Sequence, residues 1–240
     1  MEYEQLAFEE LRRWQKQMLR RPSVLNHLSK KMQEKLNSYI PEKIHNVITS
    51  AIKQMVRGVL FGAQQITGKP AAVDTLEQTE TAVRKLIKNY RHTAAVEGGV
   101  TGAGGILLGL ADFPILIGIK LKMLFDIALL YGFDVKDYKE RVYILHIFEL
   151  AFSSAEHRRN VFLQMQNWEE KKHQLPDDIN SFQWRPFQQE YRDYIDIAKM
   201  AQLVPGIGAV VGVVANYALL QRLGRTAMNA YRMRLYGYGH

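Results

Sequence analysis

His146 and Glu149 stand one helical turn apart and Glu156 and His157 follow closely, which is the kind of imidazole and carboxylate spacing from which a helical metal site is built. Such a site needs the pair repeated on a facing helix, and no second pair is visible. His146 is therefore expected as a solvated or capping histidine, and Glu156-His157-Arg158-Arg159 as a charged face. The run Gly98-Gly99-Val100-Thr101-Gly102-Ala103-Gly104-Gly105 invites a phosphate-loop reading, yet it has no Gly-Lys-Ser/Thr ending, follows no strand and misses the dinucleotide glycine spacing. Asp112 stands in an apolar run directly before Phe113-Pro114. A carboxylate there can cap a helix that Pro114 begins, or act as a buried acid in a lipid-facing or ligand pocket; the cap is the preferred reading. No serine sits in a nucleophile-elbow context, and a chain with no cysteine has neither disulfides nor thiolate metal ligands. No catalytic residue, metal or cofactor is assigned, and an enzyme is not the expected reading.

The elements that must position these residues are helical. Apolar residues recur at helix spacing along most of the 240 residues, with no convincing period-2 run. Leu6, Leu11, Trp14 and Met18 form one stripe, and Val24, Leu28, Met32 and Leu36 a second. Pro41 suits the first position of a third helix carrying Ile44, Ile48, Ile52, Met55 and Val59 on one face. Asp74 and Glu77 have the spacing of a capping box for a helix through Leu76, Val83, Leu86 and Tyr90. Val142, Leu145, Phe148 and Phe152 continue through Val161, Met165 and Trp168 to a break at Leu175-Pro176, and Asp177 to Pro186 reads as a loop.

Two segments are poor in charge: 98–131, with only Asp112, Lys120, Lys122 and Asp126, and 201–220, with none. The second has the length that spans a hydrocarbon core, but its Gly, Ala, Asn216 and Tyr217 make insertion marginal. Pro114 is expected to break or kink the first. Glycines recur four apart at Gly58/Gly62, Gly98/Gly102, Gly105/Gly109 and Gly208/Gly212, a pattern that lets a neighbouring helix approach closely. The fold class expected is all-α: one compact domain over 1–240, with basic amphipathic helices in 1–40, a glycine-rich helical hairpin in 98–134, and an apolar C-terminal helix in 201–235 packed against it.

The formal net charge is +8, concentrated toward the ends. Arg12, Arg13, Lys16, Arg20 and Arg21 near one end, with Arg222, Arg225, Arg232 and Arg234 near the other, read as a basic patch for anionic lipid or nucleic acid. Aromatics among these cations follow no stacking-module pattern, and nucleic acid would have no use for the long apolar segments. The membrane reading is preferred. The acidic opening Met1-Glu2-Tyr3-Glu4 has no basic n-region and apolar stretch behind it, so the expected location is cytoplasmic, peripheral on the inner face of the cell membrane.

Gly102-Ala103-Gly104-Gly105, then Gly109-Leu110-Ala111-Asp112-Phe113-Pro114, then Tyr131-Gly132-Phe133-Asp134 resemble the central signature of the EcsC family. Val204-Pro205-Gly206-Ile207-Gly208-Ala209-Val210-Val211-Gly212 through Asn216, with Gly224-Arg225, Ala227 and Tyr231-Arg232, resemble its C-terminal signature. The resemblance runs from about Trp14 to Leu235. That family takes its name from a bacterial operon that also encodes the ATPase and membrane subunits of an ABC transporter, and it offers no agreed catalytic residues to carry over. It implies a bacterial, non-catalytic accessory protein of a membrane or membrane protein, with an ABC transporter as partner. A lipid-handling protein, an enzyme included, with a pocket near Asp112 is the alternative.

Overall fold

The computed structural model describes residues 2–20, 42–62, 68–72, 75–101, 105–154, 157–195 and 209–236. Among them the chain is all-α; one antiparallel bridge, Ser153 to Ile195, is the sole extended pairing. Arg21, the stripe from Val24 to Leu36, Pro41, Asp74, Gly102, Glu156, and the run from Ala201 to Gly208 lie outside the described residues.

Helix α1 (Glu2–Leu19) has Glu2 and Glu4 in its first turn and Lys16 in its last, matching the helix dipole. Its inward stripe is Ala7, Leu11, Trp14 and Met18. Leu6, expected to open that stripe, is 60% exposed, because it sits about 100° around the helix from Ala7. In α2 (Glu42–Phe61) the expected face is met: Ile48, Ile52, Met55 and Val59 are buried. Helix α3 (Leu76–Thr101) starts with a true capping box, but one residue later than the expected Asp74-Glu77. Thr75 Oγ1 accepts from the Gln78 N–H at 3.3 Å, and Gln78 Oε1 accepts from the Thr75 N–H at 3.2 Å. Leu76 is the first helical residue, so the reciprocal positions are 75 and 78, and an amide serves where an acid was expected.

Helix α4 (Gly105–Leu130) continues through Pro114 without interruption. The break expected at Asp112–Pro114 is absent, and Asp112 lies well inside the helix, which rules it out as an N-cap. An interior proline costs a helix about 3 kcal/mol, and the long buried face beyond it, from Leu116 to Leu129, supplies the packing that offsets this. Helix α5 (Tyr138–Phe152) is capped by Asp137, whose side chain accepts from the Lys139 N–H at 2.8 Å. Every residue of α5 except Lys139 is buried, as befits a helix surrounded by others. Short helices α6 (Arg158–Met165) and α7 (Trp168–Lys171) bring in Val161, Met165 and Trp168, all buried as expected. The expected loop of 177–186 contains a 3-10 turn at Ile179–Ser181, and its end already belongs to α8 (Trp184–Tyr194). Helix α9 (Ala209–Tyr236) closes the core.

Helices α3 and α4 form an antiparallel hairpin, with Glu80 near Tyr131 and Tyr90 near Asp126, whereas the hairpin expected within 98–134 is corrected, because Gly105–Leu130 is one unbroken helix. Helix α9 lies antiparallel to α3, since Arg232 meets Glu80 while Tyr217 meets Arg91. Helices α3 and α9 approach closely at Gly224, where a Cβ would stand 2.5 Å from Ile87 Cδ1 and 2.8 Å from its Cγ1. Gly224→Leu should push the two helices apart and cost about 1–3 kcal/mol, measurable as a lower urea midpoint. An unchanged midpoint would show that the crossing has slack.

Candidate functional site

The antiparallel order places the C-terminus of α3 and the N-termini of α4 and α9 at one end of the molecule. That end carries the charge-poor sequence: within 105–119 only Asp112 is charged, and 209–221 has no charge. Gly98 lies in the last turn of α3, Gly105 and Gly109 in the first turns of α4, and Gly212 in the first turn of α9. Two apolar side chains stand out of this end, Ile115 at 62% exposure and Tyr217 at 40%, with Pro114 also exposed. Among the described residues no helix is long and apolar enough to cross a membrane.

A groove of about 450 Å³ runs between α2 and α4 from Pro114 toward Leu129. Met55, Val59, Ile117, Leu121 and Phe125 make its walls apolar. Gly58 and Gly118 keep it open: a Cβ at either would meet nothing within 4 Å. The helix-packing role expected for Gly58 is thus corrected, for this glycine faces space and not a neighbouring backbone. On the rim, Asp126 receives the Lys122 ammonium at 2.9 Å and the Tyr90 hydroxyl at 2.6 Å, and the Tyr90 pKa is raised by burial and by that carboxylate. Pro114, two residues beyond Asp112, belongs to the groove lining.

Behind this end, Lys120 is 1% exposed. Its Nζ donates to the Leu116 carbonyl at 3.2 Å, and no carboxylate among the described residues pairs with it. Burial pushes its amine down to about 7. His146 and Glu149 do not form a solvated pair: both are buried, with Nδ1 and Oε2 3.0 Å apart and the imidazole edge-on to Trp168 and Phe187. Burial raises the Glu149 pKa although His146 opposes it. Among the described residues no group of three or more His, Asp or Glu side chains is placed to hold a metal ion.

The basic residues divide. Arg12, Arg13, Lys16 and Arg20 are exposed on the outward side of α1, Arg13 within 3.3 Å of Glu9. Arg222 and Arg225 are exposed on α9, Arg225 lying 3.4 Å from Glu10. Arg232 and Arg234, read from the sequence as part of a basic surface, are instead internal. Arg232 is 1% exposed and grips the fully buried Glu80 with two bonds of 2.5 Å, while its third nitrogen reaches Glu10 at 2.8 Å. Tyr3 and Tyr131 donate to the same carboxylate at 2.5 and 3.2 Å. Burial alone would lower the Arg232 pKa, but Glu80 and Glu10 outweigh it and the net shift is upward. Arg234 donates to Glu140 and Glu169 and lies 3.8 Å from the Phe133 ring centre. Sequence reading missed Glu80 altogether. The available signal was its position three before Val83 and seven before Ile87, on the buried stripe of α3.

Among the described residues the architecture is all-α, with an open apolar groove between α2 and α4 and cations exposed on α1 and α9. The chain belongs to the EcsC protein family, whose family model matches residues 5–236. It is 47% identical over 233 residues to the protein EcsC of Bacillus subtilis (strain 168), covering 96% of this chain and 95% of that one. It is also 33% identical over 147 residues to the "Uncharacterized protein YdbA" of the same strain, covering 61% of this chain and 54% of the relative. No solved structure matches it.

Proposed function

We propose that this chain is a non-catalytic accessory protein that attaches peripherally to the inner face of the cell membrane and works with a membrane protein there. An ABC transporter is the candidate partner, taken from the operon that gives the family its name. The observation that carries the reading is the gathering of charge-poor helix termini at one end, with Ile115 and Tyr217 standing out of it. Cations flank that end: Arg91 lies 3.5 Å from the Tyr217 ring centre, Lys88 follows about one turn away on α3, and Lys122 stands on the rim of the groove. Apolar residues flanked by cations suit the boundary between acyl chains and anionic headgroups.

Ile115→Asp tests this without threatening the core, since the side chain is already exposed. Burying an isoleucine is worth about 1.5–3 kcal/mol, so binding to anionic vesicles should fall about tenfold or more in a flotation assay. Wild-type flotation by this variant would remove the apolar end as the attachment surface. The groove between α2 and α4 favours a second reading, a protein that carries an apolar ligand, because its 450 Å³ and apolar walls suit an acyl chain. Uptake of a fluorescent fatty acid, blocked by Gly118→Phe, would favour that reading.

A further inference from the structure

The face of α3 that looks along α9 carries Arg84, Lys88 and Arg91 at intervals of four and three residues, so all three lie on one side of the helix. Across from them α9 turns Arg225 and Arg232 into the same cleft, a groove of about 510 Å³. Two carboxylates reach these cations, Glu10 and Glu80. Five positive charges against two negative ones leave an excess of three. Two helix faces of like charge packed side by side repel each other unless a counter-charge lies between them.

Much of the donor capacity in the groove is also unused. Lys88 is exposed and has no hydrogen-bond or ion-pair partner among the described residues. Arg91 lies 3.5 Å from the Tyr217 ring centre and donates to Gln221, while its buried Nε finds no acceptor. Arg225 has one long contact, to Glu10 at 3.4 Å. Glu80 occupies Arg232 and one nitrogen of Arg84, which holds the floor of the groove rigid and leaves the upper cations open.

We infer that this cleft between α3 and α9 is a binding site for a phosphate-bearing anion, gripped by Lys88, Arg91 and Arg225. Guanidinium groups fork onto phosphate oxygens and an ammonium adds a point charge, which is the donor set present here. The same chemistry is offered by a phospholipid headgroup and by a free phosphate compound. The cleft leads from Arg232 toward the apolar end, so a headgroup held in it would have its acyl chains beside Tyr217. This deepens the membrane reading in that source and stands apart from it in the other.

The test uses the full chain and a double variant, Lys88→Gln/Arg225→Gln, both positions exposed, with thermal melts to confirm an unchanged fold. Three probes are titrated: inorganic pyrophosphate, soluble dihexanoyl phosphatidic acid, and phosphatidylcholine vesicles with or without phosphatidic acid. The expected result is binding of pyrophosphate or of the short-chain lipid, weakened at least tenfold in the double variant. Preference for the short-chain lipid names the headgroup as ligand, and preference for pyrophosphate names a free phosphate compound. No binding of either soluble probe, or equal binding by the double variant, overturns the site. Ile115→Asp keeps the two proposals separable. If it retains soluble-probe binding and loses the vesicles, both stand; if the wild type binds soluble probes and never vesicles, the groove stands and the membrane reading falls.

Discussion

Arg232→Ala should lower folding stability by about 3–5 kcal/mol, the usual cost of removing one partner of a buried ion pair. The reason is what remains: a Glu80 carboxylate with no exposure, stripped of its two shortest bonds and left with two tyrosine hydroxyls and an outlying Arg84. Glu10 loses the shorter of its two links to α9 as well and keeps only the Arg225 contact at 3.4 Å, which loosens α1. A domain at the low end of ordinary stability, about 5 kcal/mol, would be left close to unfolding. Arg232→Lys should restore only part, because an ammonium cannot fork onto a carboxylate. The double change Glu80→Met/Arg232→Met should recover most of the loss by removing both charges together. Urea denaturation of the four proteins checks this, and an Arg232→Ala midpoint equal to wild type would mean the pair is not structural.

Lys120→Met should stabilise the protein and flatten its pH dependence. The folded-state pKa is about 7 against 10.5 for the free side chain, with burial as the cause. Between those values the unfolded chain binds the proton and the folded chain does not, so the stability of the natural protein rises with pH across that window. Below about 7 the full cost of keeping or neutralising the charge in the core is present. Near neutral pH that cost is on the order of 4 kcal/mol, at about 1.4 kcal/mol per pKa unit, and methionine removes it. Measurement is best confined to pH 6 to about 9, since above that range the tyrosines begin to ionise in the unfolded chain while burial keeps them neutral in the fold. Parallel stability curves for the two proteins would show that Lys120 is solvated or paired in the fold.

Much of the helical framework can be read directly from residue spacing. Ile48, Ile52, Met55 and Val59 face inward because a repeat of three and four leaves them no other side, and the same rule places Val161, Met165 and Trp168. Residue type misled where local preference met tertiary packing. Pro114 predicts a break, yet the apolar surface of α4 on its far side is large enough to hold the helix through it. With that break gone, Asp112 loses its capping role. Arginine misled in a similar way: Arg232 and Arg234 carry the same sequence signal as Arg225, and only the acids brought in from 80, 140 and 169 separate core ion pairs from surface charge. The α3–α9 cleft was illegible for the same reason, as its cations come from segments more than a hundred residues apart. Gly224 carries no signal beyond the family signature, because a single glycine has no periodic partner to flag it.

Fractionation of the native protein tests the central claim of peripheral attachment most directly. The protein should sediment with the cell membranes, be partly released by a high-salt wash that screens Lys88, Arg91 and the outer face of α1, and be fully released by carbonate. Recovery wholly in the soluble fraction, with no binding to anionic vesicles, would contradict it.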